Sequence, residues 1–432
     1  MSKPLKKAKG GKVRPQLLRG MKDILPQDAP YWDMIRRKAR ELAESYSFSR
    51  VETPLLEARD LFERSIGEHT DIVSKEMFTF TDKGGESIAV RPEWTASACR
   101  AYIEHGMVNQ PQPVKLWSFF QCFRRERPQA GRYRSFWQAD YEVIGDADPV
   151  VDAELILILY TFLKELGIQG LVQINSLGTP ETRRKYTRGL VEYYKKHARK
   201  LCGDCKVRLK KNPLRLLDCK VPECRELVTA APEIIDFLDD ESRKHFMSVL
   251  EYLDESEVPY NLNSRLVRGL DYYTRTLFEL WPDREGGENI ALGGGGRYDG
   301  LMKLLGGRDT PACGFAMGVD RVVLEMKEQH ITPPRQFQPD VYLAQLGDRA
   351  KRRSLKLFND LRASGVRIIE NFSQDGLKEQ LGAASDAGVR YTLILGQKEM
   401  LDNTILLRDM ENGSQEVVAF EKIVGEVKKK LG

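Results

Sequence analysis

The chain has 432 residues, 41% of them hydrophobic and 30% charged, and a formal net charge of +5. That length exceeds one ordinary core, so about two or three domains are expected, in a composition typical of soluble globular proteins. No run of about 18 apolar residues occurs, so no membrane-spanning helix is expected, and seven cysteines scattered over so long a chain argue for a reducing, cytoplasmic setting rather than a disulfide framework.

The opening stretch MSKPLKKAKGGKVRPQ carries five lysines and one arginine with no apolar run behind it. It does not read as a secretory signal, and residues 1–18 are expected to form a disordered basic tail, serving either attraction to nucleic acid or solubility. Tyr31 to Phe48 places Ile35, Ala39, Leu42 and Tyr46 on one helical stripe. Val51 to Leu56 reads as extended, and Pro54 inside it assigns the segment to a sheet edge or an interface. Met77–Asp82 and Ser87–Val90 read as a hairpin about Lys83-Gly84-Gly85, and Lys115–Phe123 and Phe136–Ile144 as two long antiparallel strands. Asp148-Pro149 opens a strongly apolar helix that ends at Gly167.

From about 176 to 260 the composition shifts to charged helices containing four cysteines, an inserted subdomain. Arg275–Leu280 and Ile290–Leu292 read as strands leading into the glycine run Gly293–Gly296, and Met317–Lys327 as a helix. The prolines of ITPPRQFQPD mark a linker. Beyond it Val341–Leu346, Val366–Glu370 and Tyr391–Leu395 alternate with helical stretches ending near Gly365 and Gly388, which predicts a small α/β domain with a mixed sheet. The first 330 residues instead favour an α+β arrangement around a mainly antiparallel sheet.

No Walker loop, GxGxxG after a strand, HExxH or GxSxG is present. His69, His105, His197, His245 and His330 all lie outside the arginine- and glycine-rich stretches, which argues against histidine-centred acid–base chemistry. What the chain concentrates is arginine beside aromatics and glycine: FFQCFRRERPQAGRYRSFWQADYEVIG (119–145), RLVRGLDYYTRTLFE (265–279), LGGGGRYDGL (292–301) and GFAMGVDRVVL (314–324). Arginine grips phosphate or carboxylate through paired hydrogen bonds, and glycine admits a ligand close to the backbone. Together they suit a reaction that brings anionic groups into contact and stabilises the added charge.

Those stretches, with RGMKDILP (19–26) and the proline-bearing motif around Pro54, occur in an order that resembles histidyl-tRNA synthetases, members of the class II aminoacyl-tRNA synthetases. The resemblance runs from about Arg19 to the C-terminus, and LVRGLDYY and GGRYDG are its most specific parts. It implies a class II catalytic domain at 19–330, interrupted by an insertion at 177–260, a linker at 331–339 and an anticodon-binding domain at 340–432. It further implies ATP-dependent formation of histidyl-adenylate and transfer to tRNA(His), with a homodimer built through the Pro54 motif.

Carried over residue by residue, the resemblance assigns Arg124 to the α-phosphate, Glu126 to the adenine amino group, and Arg132 and Arg134 to the β- and γ-phosphates. Phe136 and Arg321 would sandwich the adenine, and Arg268 would stand beside the reacting α-phosphate, with Mg²⁺ on the pyrophosphate moiety. Glu93, Thr95 and Gln138 fall on positions for the amino group, and Glu142, Tyr273 and Tyr298 on those for the imidazole. Tyr272 adjoins Tyr273, so on a strand one of the pair would face the pocket and the other the core. Arg125 and Arg127 are assigned to the surface or to tRNA, and Arg349, Lys351, Arg352 and Arg353 to phosphate contact or a solvated face.

Trp94 stands where the family commonly has a small residue and is expected to pack behind the pocket. Cys202 and Cys205, then Cys219 and Cys224 after thirteen residues, resemble a small structural zinc site. NPLRLLDCK (212–220) also fits an ordinary helix-and-turn segment, and the second pair is loosely spaced, so a metal-free reading is favoured. The alternative function is a non-catalytic, histidine-sensing regulatory subunit of ATP phosphoribosyltransferase on the same fold. Retention of Arg124, Arg268, Arg321 and a 340–432 domain argues for the enzyme. A general RNA-binding module leaves Glu93, Gln138 and Glu142 unexplained.

Overall fold

The computed structural model describes residues 15–284, 290–334 and 337–432, so most of the basic tail and part of the linker lie outside the described residues. The chain divides into two compact units, Met1–Pro333 and Pro334–Gly432.

An eight-stranded sheet organises the first unit, in the order Ser49–Arg50, Val114–Phe123, Ser135–Ile144, Ala312–Gly318, Gly293–Arg297, Thr274–Pro282, Gly170–Ser176, Tyr260–Leu262. The inner six strands are antiparallel, and each outermost strand joins in parallel. Pro54 falls just beyond the short Ser49–Arg50 edge, where the missing N–H breaks no ladder. A three-stranded sheet, Leu56–Ala58, Ser87–Val90 and Phe78–Thr81, stands beside it.

Strand alternation divides the long hairpin between two cores. Trp117, Tyr141 and Val143 face a core built with the helices Ala29–Ser45 and Pro149–Glu165, whereas Leu116, Phe120 and Ile144 face the opposite side. The helix Pro149–Glu165 begins where the Asp148 carboxylate accepts the Val150 N–H, and it buries Ile156, Leu159 and Phe162. On the opposite face lie Trp94, Tyr272, Tyr273 and Tyr298, together with the inserted helices Pro180–Lys196, Gly203–Lys211 and Pro222–Thr229.

Two features differ from the sequence reading. The glycine run is not a turn after a strand at 290–292; Gly293–Arg297 is itself an inner strand, paired on both sides. Ala312–Gly318 is likewise a strand, and its helix starts only at Val319. Both are poor in the β-branched residues that signal strands, because neighbouring side chains occupy the space where their own would stand.

The second unit has a five-stranded mixed sheet, ordered Ile368–Glu370, Val341–Gln345, Tyr391–Leu395, Thr404–Asp409, Gln415–Ala419. The first three strands are parallel, linked through helices Asp348–Ala363 and Leu377–Ala387; the last two form an antiparallel hairpin absent from the sequence reading. The fold class is thus the expected one: an α+β unit with a mainly antiparallel sheet and a helical insertion, then an α/β unit with a mixed sheet.

Candidate active site

The arginine loop 124–134 is fixed by its backbone. Arg124 N–H donates to the Arg134 carbonyl at 3.0 Å, and Arg134 N–H to the Gly20 carbonyl at 2.7 Å. Gly20 has φ +86, and a side chain there would meet Pro128 and Arg134 at about 3 Å, so RGMKDILP serves as a backbone brace for the loop. Arg125 N–H donates to the Glu76 carbonyl at 2.6 Å.

Arg124, Glu126, Arg132, Phe136, Gln138, Arg268 and Arg321 line one cleft, although they come from three separated stretches of sequence. The Arg124 guanidinium lies 5.2 Å from the Phe136 ring centroid and donates from Nε to the Pro92 carbonyl. Glu126 lies between cations, 3.9 Å from Arg124 and 3.8 Å from Arg132. Arg321 donates to the Gly131 and Ala291 carbonyls, and burial, then the Arg132 charge, push its pKa down to about 10. It still carries its charge at neutral pH. Arg134 is not brought to the cleft: its side chain donates to the Glu126 and Arg19 carbonyls instead.

Arg268 is held 3.6 Å from Glu279 and 5.6 Å from the Tyr273 ring centroid. Burial works against its charge, but Tyr273 and Glu279 keep its pKa above the usual arginine value. A Cβ at Gly294 would lie 2.2 Å from Arg268 Nη1. The glycine strand therefore makes room for this guanidinium. At Gly314, directly opposite Glu142 in the sheet, a Cβ would fall 1.5 Å from Glu142 Oε2.

Beyond Gln138 the strand turns acidic. Phe136, Gln138, Asp140 and Glu142 alternate along one strand and so share a face. Glu142 accepts from Thr95 at 2.6 Å and from the Tyr298 hydroxyl, yet burial raises its pKa to about 8. Glu93 is also raised by burial; its Oε1 accepts the Ala96 N–H, and its Oε2 is buried without a partner. Gln138 Oε1 is orphaned in the same way. Buried polar atoms left unpaired in this way mark where a polar ligand would supply the missing partner.

Tyr272 and Tyr273 precede the strand Thr274–Pro282 instead of lying on it, so alternation does not separate them. Both are buried, with ring centroids 4.7 Å apart, and Tyr272 also meets Tyr298 at 5.6 Å. Trp94 is buried, packs against Phe120 and donates to Thr53 Oγ1 at 3.1 Å. Asp140 was missed by the sequence reading. Burial, then the Glu142 and Glu93 charges, push its carboxyl well above the usual range, and its Oδ1 has no partner. The alternation QADYE was the available signal.

A second, roomier cavity of about 860 Å³ is lined by Arg183, Arg188, Tyr272, Tyr273 and Leu304 but by none of Arg124, Arg268 and Arg321. Arg183 is occupied there by the Asp271 carbonyl at 2.7 Å.

Comparisons with known proteins point the same way. A family profile described as Histidyl-tRNA synthetase matches residues 20–181 and 212–322, and one described as Anticodon binding domain matches 340–430. A histidine–tRNA ligase of Dehalococcoides mccartyi is 46% identical over 96% of this chain and 99% of its own. The apo histidyl-tRNA synthetase of S. aureus is 35% identical, with a TM-score of 0.80 over 96% of this chain and all of that one. A Bacillus halodurans protein described as an ATP phosphoribosyltransferase regulatory subunit/histidyl-tRNA synthetase, 21% identical with a TM-score of 0.61 over 88% of this chain and 98% of its own, shares the fold. With a profile match over more than half its length and relatives along nearly all of it, the chain belongs to the histidyl-tRNA synthetase family.

Proposed function

We propose that the chain is a histidine–tRNA ligase: it activates L-histidine with ATP to histidyl-adenylate and transfers histidine to the terminal ribose of tRNA(His). One observation carries this reading: Arg124, Arg268 and Arg321 line one cleft with Gln138, whose buried Oε1 is unpartnered and whose strand runs on to the buried acids Asp140 and Glu142. The cationic part suits ATP and the acidic part an α-amino group and an imidazole.

In the first step a histidine carboxylate oxygen forms a bond to the α-phosphorus, and the bond to the bridging oxygen breaks, releasing pyrophosphate. Two anions must approach, and water would leave their repulsion in place. Arg124 and Arg268 offset that repulsion and hold the reacting groups in line, in a site that need not reorganise. Arg132 faces the pyrophosphate end, and Phe136 and Arg321 hold adenine between them. Glu126 accepts from the adenine amino group. Arg134 supports the loop from behind. Mg²⁺ on the pyrophosphate moiety would find a protein oxygen in Glu279, which lines the cleft beside Arg268, and when bound it would neutralise phosphate charge. In the second step the ribose hydroxyl attacks the adenylate carbonyl and AMP departs.

Glu93, Thr95 and Gln138 recognise the amino group; Glu142, Tyr272, Tyr273 and Tyr298 recognise the ring. A substrate without an imidazole leaves these buried groups unpaired, which gives strong discrimination. The regulatory alternative is disfavoured because the ATP-facing arginines are retained beside the amino-acid pocket. The 340–432 region serves as the anticodon-binding domain and 19–330 as the catalytic domain. In the former Arg349 and Arg352 are exposed, whereas Lys351 pairs with Asp375 and Arg353 packs on Phe420. Exposed Leu55 and Leu56 beside Pro54 fit a homodimer interface, and among the described residues no helix is long and apolar enough to cross a membrane, in keeping with a cytoplasmic enzyme.

Amino-acid-dependent ATP–pyrophosphate exchange, run with each amino acid in turn, tests the reading. Exchange with histidine alone is expected; absence of exchange, or equal exchange with another amino acid, overturns it.

A further inference from the structure

The insertion contains a cluster that the reaction above does not use. Cys202, Cys205, Cys219 and Cys224 bring their four Sγ atoms within 4.8 Å of one another, with Cys202 and Cys219 4.0 Å apart. All four thiols are free, and three are buried. A tetrahedral zinc–thiolate centre, with Zn–S bonds of about 2.3 Å, separates its sulfurs by about 3.8 Å. The observed grouping is therefore close to a ligand cage, which the loose sequence spacing alone did not reveal. A disulfide needs sulfurs about 2 Å apart.

The surrounding structure points to an ion independently of the sulfur positions. The helix Gly203–Lys211 has nine residues and buries only Cys205. Pro222–Thr229, eight residues long, buries Cys224 with only Leu227 and Val228. Helices this short are not stable by themselves, and so little apolar surface holds them weakly. A metal linking their first turns to Cys219 on the intervening turn supplies the missing anchor. Backbone N–H groups already face the sulfurs: Cys205 N–H donates to Cys202 Sγ at 3.4 Å and Cys202 N–H to Cys224 Sγ at 3.3 Å. Such donors stabilise thiolates. Lys200, Lys206 and Lys220, adjacent in sequence, offset the net negative charge of a zinc tetrathiolate.

We propose that Cys202, Cys205, Cys219 and Cys224 bind one structural Zn²⁺ that closes the 201–229 segment. Each thiol loses its proton to solvent on binding, and no oxidant or reductant is involved. The site has four protein ligands and no open position, so its role is structural. Cys202 and Cys205 lie in 182–211, the stretch that the family match skips, whereas Cys219 and Cys224 lie in 212–322, which it covers, so the site would tie the two stretches together. The closed segment carries Arg208 and Arg215, each 3.7 Å from Asp71, and Asn212, which donates to Asp271 at 3.1 Å, just before Tyr272.

Elemental analysis of the untagged full chain, purified under reducing conditions without added metal, tests the site. About one zinc equivalent per chain is expected, all of it released by a thiol-reactive mercurial, with Co²⁺ exchange giving the visible bands of a tetrahedral thiolate centre. Cys219→Ser should lose the zinc, and Cys122→Ser, remote from the cluster, should keep it. If Cys219→Ser fails to fold, release from the wild type decides the question. Less than about a tenth of an equivalent, iron in place of zinc, or cysteines recovered as disulfides would overturn the proposal.

Discussion

Replacing Glu142 with glutamine separates two properties of one buried carboxyl. Burial raises its pKa from 4.5 to about 8, against the pull of the Thr95 and Tyr298 hydrogen bonds. A carboxyl with a higher pKa folded than unfolded makes the folded state bind the proton more tightly. Its effect on stability is absent below the unfolded value, becomes increasingly unfavourable as pH rises from about 4.5, and levels off above about 8. Between about pH 6 and 8 the unfolded chain has released this proton while the folded chain has mostly kept it. At about 1.4 kcal/mol per pH unit, less the partial ionisation near the upper end, the penalty grows by about 2 kcal/mol. Glutamine carries no such proton, so Glu142→Gln should gain about 2 kcal/mol on the wild type over that interval, whatever fixed offset the lost hydrogen bonds impose. Urea unfolding followed by tryptophan fluorescence measures this cleanly. Trp32, Trp94, Trp117, Trp137 and Trp281 are the chain's five tryptophans, and all lie in the first unit. A difference that stays flat from about pH 6 to 8 would refute the buried acid. The same variant should raise the histidine KM about ten- to a hundredfold, since an unpaired buried group costs about 1–3 kcal/mol.

Arg268→Ala should reduce histidine-dependent exchange about a thousandfold with the melting profile intact, and near-normal exchange would remove Arg268 from the reacting centre. Gly314→Ala should raise the histidine KM by about tenfold or more and leave that for ATP little changed, because the added methyl displaces Glu142; equal shifts in both would contradict the geometry. Asp152→Ala removes the carboxylate that pairs with buried Arg297 and His245, and should destabilise the first unit by about 3–5 kcal/mol; a loss under about 1 kcal/mol would rule out that role. Arg352→Glu should slow tRNA charging while leaving exchange untouched, and unaltered charging would take Arg352 out of the tRNA contact.

Legibility followed the physical signal each segment carried. Helix Ala29–Ser45 and the hairpin Val114–Phe123/Ser135–Ile144 were readable because apolar periodicity records which face is buried. Gly293–Arg297 was not, because its residues are selected for the absence of side chains, and a strand of glycines looks like a turn. Arg297 shows how little a motif says about an individual residue in it. It lies in a motif-like stretch among ligand-facing neighbours, yet it is fully buried and paired with Asp152, a contact 145 residues away that no local pattern encodes. Arg134 resembles Arg132 in sequence, but the brace from Gly20 turns it onto backbone carbonyls. Asp140 was missed for a related reason: an acid on an alternating strand reads as solvated until the opposing layer is known to cover it.

The arrangement of charge along Ser135–Ile144 connects these points. From Phe136 to Glu142 one face of a single strand passes from the cleft lined by Arg124, Arg268 and Arg321 to the buried acids Asp140 and Glu142, whose charges act on each other or on Glu93. Folding alone would not favour either half. The cations are near one another without enough carboxylates to neutralise them, and burial raises the pKa of all three acids. Each half becomes favourable when the opposite charge enters, a polyphosphate on one side and an ammonium group on the other. Gln138, neutral and with its buried Oε1 unpartnered, lies between the two. The electrostatic cost of burying these groups and the proposed direction of the reaction thus arise from the same placement of side chains: ligands that relieve that cost are those whose reacting atoms the proposed mechanism brings together.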